Sequence, residues 1–341
     1  MPAAACAAIQ GVPVKVVIPG GTGQVGTALA RALRGEGHQV VVLTRRAAAD
    51  GQVLWDGERL GPWMREIDGS DVVINLAGRS VSCRYTKGNL TEMMRSRVRS
   101  ARVVGQAVAV ASRPPRAWLQ MSTATIYADT RGPANDDVTG VIGGSEKGVP
   151  GYWAFSVDIA QAWERELAEA TVPATRKVAL RTVMVMTPDR GGVFDALSRI
   201  ARLGLGGPVA GGGQYVSWIH EDDFTAAIRF IIDQDVLTGP VNLAGPGPVR
   251  QRAFMRELRA AWGVPIGLAA TRWMAELGAL AIGTDTELVL KSRRVVPGRL
   301  TAAGFEFRHG TWPEAARDLV RRARTPASSR DRCSDWYQAS G

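Results

Sequence analysis

The stretch Gly20-Gly21-Thr22-Gly23-Gln24-Val25-Gly26 decides the fold. It satisfies G-x-G-x-x-G from Gly21 and G-x-x-G-x-x-G from Gly20. A short β-branched run, Val14–Ile18, leads into it. Behind it Val25, Ala28, Leu29, Ala32 and Leu33 fall on one face of a helix that Gly35 and Gly37 close. Strand, glycine turn, helix is the context that gives such a string meaning. Glycines permit the tight turn and let the backbone approach a pyrophosphate, the last one lets helix and strand pack closely, and free N–H groups at the helix start hold the anion. The plain alternative is a glycine-rich turn with no ligand.

Outward from that loop, strands and helices alternate. Gln39–Leu43 reads as a buried strand, Val53–Trp55 as a short one, and Asp71–Leu76, Ala117–Met121 and Lys177–Thr182 as further strands. Leu90–Ala111 and Tyr152–Ala170 read as long helices. The alternation predicts an α/β protein, a Rossmann-type doubly wound parallel sheet. Beyond Thr187 the pattern loosens. Tyr215–Ile219 and Val241–Leu243 look like late strands around a helix at Asp222–Ile232. Gln251–Trp262, Arg272–Ile282, Asp285–Arg294 and Trp312–Ala323 look helical, a small C-terminal substrate domain. The expected division is 14–186 plus 214–245 for the nucleotide-binding domain and 187–213 plus 246–324 for the substrate domain, with flexible tails at 1–13 and 325–341.

Composition narrows the function classes. With 45% hydrophobic and 22% charged residues in 341, the chain has enough apolar matter for a core. It has no run of about 18 apolar residues, so no membrane partner is expected. Three scattered cysteines suit a reducing, cytoplasmic setting. The net charge of +10 raises the question of nucleic acid. However, residues 291–341 alone supply eleven basic against five acidic side chains, which reads as a solvated basic end, and no nucleic-acid partner is expected. His38, His220 and His309 are isolated in sequence and no Cys or His pair has ligand spacing, so no metal is expected. Gly-x-Ser-x-Gly and Walker A patterns do not occur.

The second strand ends in Thr44-Arg45-Arg46, where an acidic residue would suit a ribose 2′-hydroxyl. Arginine suits a 2′-phosphate, so NADP is expected rather than NAD, a pair of surface arginines being the alternative.

With this loop, Asn75-Leu76-Ala77-Gly78 and Ser122-Thr123-Ala124-Thr125-Ile126-Tyr127, the chain resembles the extended short-chain dehydrogenase/reductase superfamily. More narrowly, it resembles NAD(P)-dependent epimerase family proteins with a C-terminal domain of unknown function. Trp163-Glu164, Leu203-Gly204-Leu205-Gly206-Gly207-Pro208, Trp218-Ile219-His220 with Asp223, and Val295-Val296-Pro297 carry the narrower likeness. The resemblance implies that Gly20, Thr22, Gly23, Gln24, Val25 and Gly26 meet the diphosphate. It puts Thr44 and Arg45 at the adenosine ribose phosphate, and Asn75, Ala77, Gly78 and Val185 along the rest of the cofactor. Ser96 and Arg97 are implied to approach it.

The same resemblance implies a Ser/Thr–Tyr–Lys mechanism. Thr123 matches the hydroxyl and Tyr152 the acid–base tyrosine, but Ser156 stands where the lysine belongs and no Tyr-x-x-x-Lys occurs in the chain. An unassisted phenol, with pKa near 10, is a poor base at neutral pH. Tyr127, His220 or Asp158 could move the proton instead; otherwise the protein binds NADP(H) without turnover. Packed, structural roles are the alternatives for Tyr127, Tyr152, His220 and Asp223. The expectation is an oxidoreductase or epimerase acting on a small carbonyl or sugar-like molecule, as a monomer or homodimer. A non-catalytic NADP(H) sensor and a nucleic-acid binder are the rivals.

Overall fold

The structure is a computed structural model. It describes residues 13–325 except Ser82, 148–149, Arg272 and 275–286, and it omits the side chain of Leu288. Both expected tails, apart from Pro13 and Thr325, and nearly all of the expected helix 272–282 lie outside the described residues.

Seven strands form one sheet: β1 (Lys15–Pro19), β2 (Gln39–Thr44), β3 (Gln52–Leu54), β4 (Val72–Asn75), β5 (Ala117–Thr123), β6 (Arg176–Thr182) and β10 (Gly239–Leu243). Their order is β10-β6-β5-β4-β1-β2-β3 and every pairing is parallel. This is the predicted doubly wound α/β sheet. Successive β1 residues face opposite layers, as the two-residue strand period requires. Val16 and Ile18 pack with Leu29 and Leu33 of α1 (Gln24–Gly35) and with Phe224, Ile228 and Ile231 of α6 (Glu221–Asp233). Val17 packs on the other face, with Ala101, Val104 and Val108 of α3 (Lys87–Ala109) and Trp163 and Leu167 of α4 (Tyr152–Glu169). Burial on both faces explains the near-continuous apolar runs.

A second core joins α5 (Val193–Arg202), α7 (Gln251–Trp262) and α10 (Trp312–Arg324) around Phe254 and Trp312, whose rings stack at 3.9 Å. It carries two small sheets. In one, β7 (Met184–Met186) pairs with β9 (Trp218–His220); in the other, β8 (Tyr215–Val216) pairs with β11 (Val249–Arg250). The short helices α2 (Met64–Ile67), α8 (Glu287–Leu290) and α9 (Gly298–Ala302) and a 3-10 turn at Ala124–Ile126 complete the described elements.

The single strand expected over Tyr215–Ile219 is thus two strands in different sheets. Ser217 breaks it: its hydroxyl donates to the Arg293 carbonyl at 2.9 Å and accepts from Val295 N–H at 2.9 Å, so the chain turns to the C-terminal segment there. The expected helix 285–294 is only the single turn α8 among the described residues. Trp55, Trp63, Trp118, Trp153, Trp163 and Trp218 are all buried, as core residues.

Candidate functional site

Two close backbone approaches shape the glycine loop. Gly20 has φ +75°, and a Cβ there would lie 2.6 Å from Ala77 Cα. A Cβ on Gly26 would lie 2.6 Å from Gly21 Cα, so α1 rests directly on the strand end. Gly23, the helix N-cap, is different: its nearest neighbour in that direction is the Gly20 carbonyl at 3.8 Å. No side chain caps α1, so its first-turn N–H groups keep the unsatisfied donors of a helix start.

Asn75 is fully buried rather than lining a cleft. Its Nδ2 donates to Gln120 and its Oδ1 accepts from Ala77 N–H at 3.1 Å, which holds Ala77 against Gly20. The Thr22 and Thr44 hydroxyls meet at 3.4 Å, joining the loop to the end of β2. Arg45 and Arg46 are exposed there, and no described carboxylate pairs with either guanidinium. The Gln24 side chain donates to Thr187 Oγ1 at 2.7 Å, which ties α1 to the loop 187–192. A Cβ on Gly192 would fall 1.7 Å from Gln24 Nε2, and Arg31 pairs with Asp189 at 2.7 Å. Sequence reasoning missed this loop; the Gly191-Gly192 pair after β7 was the available signal. Val185 is buried within β7, opposite Ile219.

The candidate catalytic residues have different surroundings. Thr123 ends β5, and its hydroxyl accepts from Thr125 N–H at 3.2 Å. Tyr152 opens α4, 39% exposed and edge-on to Trp153. Tyr127 is buried, its hydroxyl donating to Asn242 Oδ1 (2.8 Å), with the Asp136 carbonyl 3.0 Å away as the alternative acceptor, and accepting from Arg181 Nη1 (3.0 Å). Burial raises its pKa, with Arg181 opposing. That phenol holds the fold together at this junction. Ser156 Oγ donates to the buried Glu287 at 2.6 Å, and Glu287 also lies 3.6 Å from Lys291 Nζ. Lys291 in turn donates to the Thr125 carbonyl, and burial lowers its pKa against the pull of Glu287. The position one turn after Tyr152 is therefore filled from the C-terminal segment. A groove of about 690 Å³ between α4 and β10, lined by Gln161, Glu164, Arg181 and Pro240, holds none of the predicted residues.

His220 and His309, isolated in sequence, stack with ring centroids 3.7 Å apart. His220 Nδ1 accepts from Asp222 N–H at 3.1 Å as the N-cap of α6, and Asp223 accepts from Arg308 and His309 N–H. The proton of the neutral His220 ring is thus on Nε2, 3.2 Å from Asp318. His220, His309, Asp222 and Asp318 are close enough to hold an ion. But Arg322 already bridges Asp222 and Asp318, and a metal at Nε2 would require an imidazolate, so this donor set suits an ion-pair lock of α10 onto α6.

Two shifts in this lock oppose each other. Burial pushes His220 down to about 4, against Asp222. From pH 6.5 to 4 the unfolded chain then binds a proton the folded one refuses, and stability falls as pH falls. Burial, then Asp222, push Glu221 up to about 7, so from pH 7 to 4.5 the folded chain holds an extra proton and stability rises as pH falls. His309, Asp318, Arg322, Asp189 and Arg31 also face these groups. Glu221→Gln leaves only the first slope. Its melting temperature should therefore drop more steeply than the wild type's between pH 6.5 and 4.5, and parallel curves would show Glu221 to be ionised throughout.

Comparisons with known proteins agree with this architecture. A family model described as "NAD dependent epimerase/dehydratase family" matches residues 16–244, and one described as "Domain of unknown function (DUF1731)" matches 271–319. An epimerase family protein of Mycobacterium leprae is 32% identical over 304 residues, 88% of this chain and 94% of its own. Epimerase family protein SDR39U1 of Mus musculus is 29% identical over 320 residues, 90% and 100% of the two chains. Human SDR39U1, solved with NADPH, superposes with TM-score 0.79 at 24% identity, covering 90% of this chain and 99% of that one. UDP-N-acetylglucosamine 4-epimerase from Bacillus cereus has TM-score 0.69 at 14% identity, covering 92% and 100%. With a family model matching well over half of its length and a relative above 30% identity along nearly all of it, the chain belongs to the NAD dependent epimerase/dehydratase family.

Proposed function

We propose that the protein is an NADP-dependent oxidoreductase or epimerase acting on a small carbonyl or sugar-like substrate. The observation that carries this reading is the glycine cradle with Arg45 standing free of any described carboxylate beside Thr44 and Thr22. The cradle supplies backbone donors for a diphosphate, Arg45 a planar fork for a 2′-phosphate. Ala77, Gly78 and the Val185 backbone would continue the cofactor's path, with the buried Asn75 holding Ala77 in place from behind, and Thr123 and Tyr152 would face the reacting carbon. NADPH on the human relative supports the choice of nucleotide. When bound, the cofactor would supply hydride chemistry; the chain's part is to hold it and to move the substrate's proton.

The test is a pair of titrations with NADPH and NADH. NADPH should bind at least tenfold more tightly. Arg45→Glu should cost NADPH about 10- to 100-fold, the worth of one charge-assisted contact, and leave NADH within about threefold. Equal losses for both would remove Arg45 from the site.

The second reading, a non-catalytic NADP(H) sensor, is favoured by Ser156 bonded to Glu287 and by the engaged Tyr127 hydroxyl. NADPH consumption across a panel of carbonyls and nucleotide sugars would eliminate the sensor; tight binding without turnover would eliminate the enzyme.

A further inference from the structure

Three helix ends meet at one face of the second core. Arg202 is the last residue of α5, Trp262 of α7 and Arg324 of α10. The guanidinium carbons of Arg202 and Arg324 each lie 5.1 Å from the centre of the Trp262 ring, and no described carboxylate pairs with either. The three helices together carry nine arginines against four carboxylates. Arginine at a helix C-terminus complements the helix dipole, which accounts for Arg202 and Arg324 one by one. It does not account for what lies beside them.

The chain leaving α5 and the chain leaving α7 are tied together. Leu268 N–H donates to the Gly204 carbonyl at 2.7 Å, Gly207 N–H to the Leu268 carbonyl at 3.1 Å and Ala270 N–H to the Pro208 carbonyl at 2.9 Å, while Arg259 of α7 donates to the Gly206 carbonyl. The joined loops present Leu203 (73% exposed), Leu205 (52%), Ile266 (65%) and Leu268 (60%), with Trp273 (61%) shortly after Ala270. Single apolar residues scattered over a surface need no explanation, but four on two paired loops do. Side chains more than half exposed stand out from the surface and do not line a groove for a partner segment. A hollow of about 350 Å³ lined by Arg256, Arg259, Val264 and Pro265 lies beside Ile266, roomy enough for a phosphate headgroup. A single-stranded nucleic acid would call for stacking rings between the arginines, and the side chains on these loops are aliphatic. Projecting aliphatic tips flanked by arginines suit the headgroup and acyl boundary of an anionic bilayer.

We propose that the loops 203–208 and 264–270 dock the protein on an anionic lipid surface, their apolar side chains entering the acyl boundary and Arg202 and Arg324 meeting lipid phosphates. No helix among the described residues is long and apolar enough to cross a membrane, but lying on a bilayer needs no span. The surface is separate from the glycine cradle. Helix α5 starts after the loop tied to Gln24, and Arg202 stands at its other end, about 15 Å along the helix axis.

Cosedimentation of the full chain with vesicles tests this, using phosphatidylcholine alone and a mixture with about 40% phosphatidylglycerol. The mixed vesicles should bind the protein at least tenfold more tightly, and raising salt to about 0.5 M should undo most of that preference. Leu203→Ser with Leu268→Ser should weaken binding to the mixed vesicles at least tenfold. Both leucines are exposed, so the variant should melt within a few degrees of the wild type and bind NADPH within about twofold of it. Arg202→Gln with Arg324→Gln should lose much of the preference for the mixed vesicles. No binding to these vesicles, equal binding to both kinds, or undiminished binding by the leucine variant would overturn the proposal. So would a wild-type dimer that the leucine variant dissociates, with no vesicle binding, since the patch would then join two copies. Salt-sensitive binding of a DNA duplex in place of vesicles, unchanged in the leucine variant, would overturn it as well. If the leucine variant does not fold, the arginine variant decides: an unchanged preference for the mixed vesicles overturns the proposal and a reduced one upholds it. A wild type that binds vesicles and no NADPH upholds it and defeats only the nucleotide reading.

Discussion

Gly23→Ala should fold like the wild type and bind nucleotide at least tenfold more weakly, whereas Gly20→Ala should lose stability as well as binding. The two residues stand three apart in one loop, yet their surroundings are opposite. At Gly20 a methyl group would lie 2.6 Å from Ala77 Cα and 2.7 Å from Ala77 N, backbone atoms that cannot swing aside, at φ +75°. Left-handed strain and overpacking together should cost about 2–5 kcal/mol, a large share of a domain's stability. At Gly23, φ is −70° in an extended conformation that any residue adopts, and nothing lies nearer than 3.8 Å. Alanine there forfeits only the small preference for glycine at an N-cap, about 1 kcal/mol. The space it fills is the space above the first turn of α1, where only a ligand would be met. NADPH affinity should fall at least tenfold, about 1.4 kcal/mol, with the melting temperature within a few degrees of the wild type. Thermal melts run beside an NADPH titration decide it. A Gly23→Ala chain that binds normally would mean the diphosphate does not lie on this helix start.

That contrast also separates what could be read along the chain from what could not. The sheet was legible because its strands are buried on both faces, which leaves uninterrupted runs such as Val16-Val17-Ile18 flanked by turn residues. The cradle was legible because its spacing is local. Asn75 was expected along the cofactor, and its burial and bond to Gln120 could not be read from sequence, since they come from strand pairing. Helix α5 was missed: its N-cap is Gly192, which offers no side-chain cap, and it follows a turn. The His220–His309 stack and the Ser156–Glu287 bond join residues 89 and 131 positions apart, beyond any periodic pattern. Arg97 could be placed on a helix from sequence, but its burial over the Trp163 ring is a property of the packed interior.

Glu164→Ala should cost about 3–5 kcal/mol, among the largest effects of any single change in the described chain. Glu164 sits on α4, its side chain 15% exposed, and takes two hydrogen bonds from Arg181 at 2.8 and 2.9 Å and one from Ser122 at 2.6 Å. Burial works against the Arg181 charge, but Glu164 outweighs it and holds its pKa above the ordinary value. Beyond Arg181 the chain of contacts continues through Tyr127 to Asn242, whose Nδ2 donates to the Val296 carbonyl. One carboxylate thus organises β5, α4, β6, β10 and the start of the C-terminal segment. Removing it leaves a guanidinium 10% exposed without its partner, and that uncompensated charge, more than the lost attraction, sets the penalty. The double change Glu164→Leu with Arg181→Met removes both charges and should recover most of the loss. Urea midpoints for the single and double variants test this, and a single-variant loss below about 1 kcal/mol would show water reaching Arg181. Because Ser122 precedes Thr123 on the same strand end, the single variant should also weaken whatever Thr123 orients, while Gly23→Ala leaves this network intact.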